Sequence, residues 1–458
     1  MEVPFPDFGF LDMFKQELIN TPNKTILAMK LKTSFLISFI ILIFMVSCNQ
    51  NSKSNKEMQQ QKQMTAKDIL GNAEYLAMSY GGYRYKDPNI EPTLAELKED
   101  MKLLAAMGVK IIRTYKVHKP QAENVLKVIT ELRKEDPNFE MYVMLGAWID
   151  CKNAFTDQEK DHNAESEANL PQIKKVVALA NQYPDIVKVI AVGNEAMVKW
   201  AESYYVEPWI ILKWVNYLQE LKKEGKLSKD LWITSSDNFA SWGGGGAEYH
   251  VEDLTKLIHA VDFISMHTYP MHDTHYQPEF WLQSEGQDQM TDLEKIDAAM
   301  VRAKEYAQLQ FQNVQQYMKG LGVDKPIHIG ETGWASVSTD QYGFNGSKAC
   351  DEYKEALYYQ HMREWTKEAG LSCFYFEGFD EPWKGSENMG NSEKHFGLMT
   401  VDGKAKYALW AEVDKGSFKG LTRNGNPITK TYGGDKAAVM QDVLVPPTQD
   451  EIGASEEY

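Results

Sequence analysis

The sequence predicts an α/β fold, a (β/α)8 TIM barrel forming a single catalytic domain. Three observations carry this expectation. From about residue 74 to 413, eight short apolar strand-like runs alternate with helical patterns. No glycine-rich phosphate loop follows the first run, where Gly81-Gly82 alone is too weak a signal, and this disfavours a doubly wound open sheet. Two of the runs stop abruptly on a glutamate, in Val192-Gly193-Asn194-Glu195 and in Ile329-Gly330-Glu331. In a barrel, chemistry sits where strands end, so these positions fall on one rim.

Taken in order, the chain begins with residues 1–28, which look unlike any signal region. Met29-Lys30-Leu31-Lys32 then supplies a basic start, and residues 35–46 form a nearly unbroken apolar run, short for a bilayer span. Ser47-Cys48 and a polar stretch follow, which is signal-peptide anatomy. Met45-Val46-Ser47-Cys48 resembles a bacterial lipobox, which implies cleavage before Cys48 and lipidation of its thiol. Met29 reads as the true start; a mature protein still carrying residues 1–28 would refute that. Residues 1–48 are thus expected to be an extension and export signal. Residues 49–67, rich in Gln, Lys, Ser and Asn, are expected to be a flexible tether.

The barrel is expected over residues 68–415. Its strand runs are 75–80, 109–115, 141–148, 187–192, 231–235, 261–267, 326–330 and 371–376. Thr93-Leu94-Ala95-Glu96 is a capping box that opens a helix ending at Gly108. Helical patterns follow at 120–134, 170–183, 208–223, 251–260, 291–320 and 351–370, and 404–413 can supply the eighth. Residues 416–458 turn Gly-, Lys- and Pro-rich and are expected to be an irregular tail that either docks as irregular structure or is partly disordered.

The chain has 458 residues, 43% hydrophobic, ample for a large core. A net charge of -16 disfavours nucleic acid and anionic lipid surfaces as partners and is compatible with neutral glycans. The four cysteines show no CxxC pair or zinc spacing. His267, His272 and His275 cluster around the sixth strand, but their spacing fits no helix-face metal pair. No metal or cofactor is called for.

Two carboxylates brought to one barrel mouth are what glycosidic bond cleavage needs. Glu195 and Glu331 are the catalytic candidates. Arg113 ends the second strand, where its guanidinium either keeps a nucleophile ionised or serves a structural ion pair. Tyr80, at the end of the first strand, is a further substrate-binding candidate. Trp148, Trp242, Trp334 and Trp383 all follow strands, where each either stacks on a pyranose face or is buried among loops. Gly243 to Gly246 gives a tight or mobile loop after strand five. The segment 271–289 is long and polar, and it could wall off one end of a cleft.

Val192-Gly193-Asn194-Glu195, Gly330-Glu331-Thr332-Gly333-Trp334 and Phe376-Glu377-Gly378-Phe379-Asp380-Glu381-Pro382-Trp383-Lys384 resemble glycoside hydrolase family 17, the β-1,3-glucanase family of clan A. His395-Phe396-Gly397-Leu398 and Asp402-Gly403-Lys404 resemble the family's ending, so the likeness covers roughly residues 75–409. The resemblance implies retaining hydrolysis of laminarin-type β-1,3-glucan, with Glu195 as acid/base and Glu331 as nucleophile. It implies that Asn194 binds the sugar 2-hydroxyl, that Tyr269 holds Glu331, and that Glu377, Glu381 and Lys384 bind substrate or support the acid/base. The expected partners are a β-1,3-glucan and, through a lipid on Cys48, a bacterial membrane; the chain is expected to be monomeric. Two rivals stand beside this reading: a β-glucan transglycosylase using the same residues, and a catalytically silent glycan-binding lipoprotein.

Overall fold

The structure, a computed structural model, describes residues 64–451. Eight strands, β1 (Leu76–Ser79), β2 (Val109–Arg113), β3 (Tyr142–Ala147), β4 (Val187–Asn194), β5 (Trp232–Asn238), β6 (Ile264–His267), β7 (Ile327–Gly333) and β8 (Cys373–Phe376), close into a barrel in which each pairs with its neighbours in sequence and β8 returns to β1. Every pairing is parallel. The protein is therefore the expected (β/α)8 TIM barrel.

Period-2 alternation sorts the strand side chains into two cores. Ile111, Met144, Val189 and Ala191 join Phe263 and Phe374 in one cluster. Their neighbours Ile112, Val143, Leu145, Ile190 and Val192 pack in the larger cluster with the helices. The helices are α1 (Leu94–Ala106), α2 (Gln121–Glu135), α3 (Asn169–Gln182), α4 (Pro208–Lys223), α5 (Glu252–Ala260), α6 (Asp292–Gly320) and α7 (Glu352–Glu368). The Thr93/Glu96 capping box forms as the sequence requires, and Gly108 past the end of α1 adopts φ +85°, which only glycine takes without strain. A second box, Thr291/Glu294, opens α6.

Two expectations are corrected, and one left open is decided. Residues 65–67 are not tether: Thr65 caps a turn of helix at Ala66–Ile69, and Ala66, Ile69 and Leu70 are buried in the cluster with Phe263 and Phe374. The apolar pattern Ala-x-x-Ile-Leu is what draws this stretch into the fold. The eighth helix does not start at Lys404. Lys406 is held by Asp380 (2.8 Å), Glu355 (3.3 Å) and the His395 carbonyl, which keeps the chain extended there, and α8 runs only over Trp410–Lys415. The tail after 415 is docked, as far as residue 451. Phe418 and Val439 are buried, and Arg423 is fully enclosed with its Nε 3.0 Å from Asp100, which also pairs with Arg84 at 2.7 Å. A buried guanidinium and carboxylate each demand a partner, so the tail is fixed to α1.

A hairpin of Cys151–Lys152 and Asp161–Glu165 separates β3 from α3. The 271–289 segment folds into short helical pieces, with Met271 and Trp281 fully buried. Cys48 and the expected export signal lie outside the described residues. Among the described residues no helix is long and apolar enough to cross a membrane.

Candidate active site

Strand register places the chemistry at one level. His267 on β6 is the Cα partner of Glu331 on β7 and of Asn238 on β5, while Asn194 on β4 partners Ser236. Gly330 is required by close approach: a Cβ there would stand 2.1 Å from Ser265 Oγ and 2.6 Å from Ser236 Oγ. At the end of β4 the chain turns sharply, with Gly193 at φ +82° and Glu195 at φ +47°. A glutamate in the left-handed region is strained, and the Glu195 amide donating to Ser236 O at 3.0 Å helps to hold it there.

Arg113 joins the two strand ends. Its Nη1 donates to Gly330 O at 3.0 Å and to Glu331 Oε2, and its Nη2 donates to Asn194 Oδ1. With its oxygen occupied in this way, the Asn194 amide group remains available as a donor. Tyr269 donates to the other Glu331 oxygen at 2.6 Å. Glu331 is thus buried yet satisfied on both oxygens. Burial works against its charge, but the adjacent His267, then the Arg113 guanidinium and the Tyr269 hydroxyl, outweigh it and hold the carboxyl below the usual range. Arg113 is a structural ion pair and a support of Glu331 at once.

Glu195 has the opposite environment. Burial, reinforced by the nearby Glu331 charge, pushes its carboxyl up to about 8. Its Oε1 lies 3.1 Å from His267 Nδ1, and the same nitrogen lies 3.9 Å from Glu331 Oε2. His267 is fully enclosed, and burial pushes its imidazole down to about 3 against the opposing pull of the Glu331 charge. Its Nε2 is 2.7 Å from Ser236 Oγ, which is 2.8 Å from Ser265 Oγ.

The three histidines around strand six have separate partners. His272 pairs with Glu393 at 3.3 Å and stacks on Tyr269, while His275 packs against Tyr276 and Tyr342.

Beside β8, Lys384 Nζ reaches Glu377 at 3.0 Å and Glu381 at 2.9 Å and lies 3.9 Å from the centre of the Phe376 ring. Burial, together with the Glu381 charge, pushes Glu377 up. Glu381 also accepts from the Tyr83 amide at 3.0 Å, and it passes so close to Gly81 that a Cβ there would meet it at 2.1 Å.

A cleft of about 990 Å³ opens over Asn194 and Glu331. Its walls come from the segments after β1, β2, β3 and β8, including Tyr115, Trp148, Phe155, Glu381, Trp383 and Lys384. Buried polar atoms almost always have a partner. Here Tyr115 Oη, Asp150 Oδ1 and Trp383 Nε1 have none among the described residues, and all three residues line this cleft.

Two of the four tryptophans take the buried alternative, away from the cleft. Trp334 is 0% exposed: its Nε1 donates to Ala349 O at 2.8 Å, and its ring packs on Trp281 and Tyr358. Thr332 Oγ1 also meets Tyr358, so positions 332 and 334 share the outward face of β7, opposite to Glu331. Trp242 is likewise enclosed, donating to Ser265 O at 3.1 Å. Tyr80 lines the cleft, but its hydroxyl lies 3.0 Å from Asp100 and is held there. Trp148 and Trp383 do line the cleft. Sequence reasoning missed Tyr115, Asp150, Ser236 and Phe155. Tyr115 and Asp150 stand just beyond strand ends, which is the signal that could have found them.

The family model described as the BtgE/BtgC glycoside hydrolase domain matches residues 77–397. The crystal structure of an endo-laminarinase from Formosa Hel1_33_131 superposes with a TM-score of 0.84 at 65% sequence identity, covering 84% of this chain and 98% of that one. A glucan 1,3-β-glucosidase of Arthroderma benhamiae is 26% identical over 280 residues, 60% of this chain and 73% of that protein. A probable glucan endo-1,3-β-glucosidase btgC of Aspergillus flavus is 25% identical over 385 residues, 79% of this chain, which spans 47% of that protein's length. The chain belongs to the BtgE/BtgC glycoside hydrolase domain family and is a glycosidase.

Proposed function

We propose that the protein is a retaining endo-hydrolase of β-1,3-glucan of laminarin type, with a site of the family 17 kind. The observation that carries this reading is the shared contact of both carboxyls with His267. The distances of 3.1 and 3.9 Å from one ring nitrogen bound the two oxygens to about 7 Å or less, which favours the retaining separation of roughly 5–5.5 Å over most of the inverting range. Their charge states are also divided as double displacement requires. Glu331, ionised and held by Arg113 and Tyr269, attacks the anomeric carbon. Glu195, protonated at neutral pH, gives its proton to the leaving glycosidic oxygen, then takes one from the water that releases the glycosyl–Glu331 ester. With its proton on Nδ1, His267 donates to Glu195 Oε1 and leaves Oε2 free to carry the transferable proton. Asn194 donates to the sugar 2-hydroxyl, a bond that strengthens in the transition state. Likeness to the Formosa endo-laminarinase supports both the substrate and endo action.

The lipobox-like Met45-Val46-Ser47-Cys48 supports export and a lipid anchor on a bacterial membrane, with the glucan met outside the cytoplasm. Mass spectrometry of the membrane fraction tests this: an unmodified Cys48 in mature protein overturns it.

Wild-type protein on laminarin and on defined β-1,3-oligosaccharides, with products sized over time, tests the activity. Shorter internal fragments are expected. Products longer than the substrate would instead show transfer, and unchanged substrate would sink the reading.

A further inference from the structure

Phe155 is an outlier on three counts. It is 61% exposed, it lines the cleft, and its backbone sits at φ +56°, where a bulky residue is rare. An exposed aromatic ring gains nothing from water, and a left-handed backbone costs stability; such a residue persists where its surroundings enforce it. The enforcement is visible. The Phe155 amide donates to Ser203 O at 3.1 Å and the Cys151 amide donates to Tyr204 O at 3.0 Å, so two backbone bonds stitch this turn to the segment after β4. Asn153, also at positive φ, is pinned by its Nδ2 donating to Glu159 O at 2.8 Å.

The ring is not isolated. It stacks on Tyr204 with centroids 5.3 Å apart and planes at 24°, and Trp148 lies 5.3 Å from Tyr204 and 6.3 Å from Phe155. Tyr204 leads back to the chemistry: burial and then the nearby Glu195, Asp237 and Glu331 charges push its hydroxyl up. Phe155 is therefore the outermost of a connected aromatic group that begins near the catalytic carboxyls and ends in solvent.

We propose that Phe155 is a distal sugar-binding platform, on which a glucosyl unit remote from the scissile bond stacks its apolar face. This rests on the β-1,3-glucan reading of the site and extends it: chain-length preference would reside in the hairpin after β3. Aromatic rings accept pyranose faces without demanding particular hydroxyls, which suits a residue that grips a repeating neutral polymer.

The test is a KM and kcat series over β-1,3-oligosaccharides of increasing length, for wild type, Phe155→Asn, Phe155→Ala and Phe155→Tyr. Asparagine tolerates the left-handed backbone, so Phe155→Asn removes the ring while keeping the turn, and its Tm is expected to equal or exceed that of wild type. In Asn and Ala variants KM for long oligosaccharides rises roughly three- to tenfold while kcat holds; the shortest cleaved substrate changes least; Tyr restores wild-type behaviour. An Asn variant with wild-type Tm and unchanged KM at every length overturns the platform. A loss that is equal at all lengths also overturns it, because the ring would then be serving the turn. If wild type itself leaves β-1,3-glucan intact, the underlying substrate reading fails, and the glucosyl ligand named here fails with it.

Discussion

His267 Nδ1 lies 3.1 Å from Glu195 Oε1, and its other ring nitrogen is held 2.7 Å from the Ser236 hydroxyl. The buried imidazole stands between the acid and the nucleophile, with Glu331 Oε2 3.9 Å from the same nitrogen. Burial comes first in raising the proton affinity of Glu195 and the charge of Glu331 second.

The pH dependence follows. The kcat/KM profile is expected to fall on the alkaline side near pH 8, where Glu195 loses its proton, and on the acid side below the ordinary carboxyl range, where Glu331 gains one. Glu331→Gln removes the second contribution to the raised Glu195 value. Direct titration of the Glu195 carboxyl in that variant should return a lower pKa than in wild type; an unchanged value would deny the coupling of the two groups.

Stability carries the same signature with a defined sign. Native Glu195 keeps its proton up to about pH 8, while the unfolded chain releases it near 4.5. The native state thus binds more protons across that window, and wild type loses stability as pH rises through it, by at most about 1.4 kcal/mol per pH unit for one group. Glu195→Gln does not titrate there. The Tm advantage of Glu195→Gln over wild type is expected to widen from pH 5 to pH 8 in thermal melts; a constant difference would contradict the assignment.

The two glutamates should separate by leaving group. Glu195→Gln is expected to slow laminarin cleavage by roughly 10²- to 10⁴-fold, with a much smaller loss of the first step on a β-glucoside whose leaving group is a dinitrophenolate that needs no proton. Glu331→Ala should lose both substrates alike. Equal sensitivity of both variants to the leaving group would exchange or remove their roles.

Trp334 and Trp383 test burial against the cleft. Trp334→Phe loses the bond to Ala349 O and part of a fully packed ring, so a destabilisation of about 1–3 kcal/mol with KM little changed is expected from denaturant melts and kinetics. Trp383→Phe removes part of a ring that lines the cleft and should raise KM with Tm held. A KM effect at Trp334 equal to that at Trp383 would return it to the substrate.

The tail is structural. Arg423→Ala takes one of two arginines from buried Asp100, leaving Arg84 in place. Removal of one partner from a buried ion pair typically costs about 3–5 kcal/mol, and the remaining Arg84 places this variant at the lower end. Ending the chain at residue 415 is expected to cost more. Unaltered melting after either change would mean the docked tail contributes nothing.

Much of the fold was legible because its signals are local. The Thr93 capping box acts within four residues, and a near-continuous apolar run such as 187–192 reports burial on both faces of a strand. The glutamates at positions 195 and 331 stood out because each ends such a run. Trp334 was left open although parity with Glu331 already puts it on the opposite face of β7. The tail was left open and residues 65–67 were misjudged because composition does not show which distant group an arginine such as Arg423, or a short apolar pattern such as Ala66–Leu70, will meet.

The sequence by itself determined eight strand–helix units and two carboxylates at strand ends, since hydrogen-bond periodicity and capping depend on near neighbours. Only the tertiary structure decided what those carboxylates are. Closure of β8 onto β1 and the register of β4 to β7 bring Arg113, Asn194, His267 and Glu331 together from distant parts of the chain. The proton affinities of Glu195 and Glu331 diverge because burial, a guanidinium and a phenol are distributed unequally between them. Desolvation and charge proximity are properties of the assembled barrel mouth, and no stretch of sequence contains them.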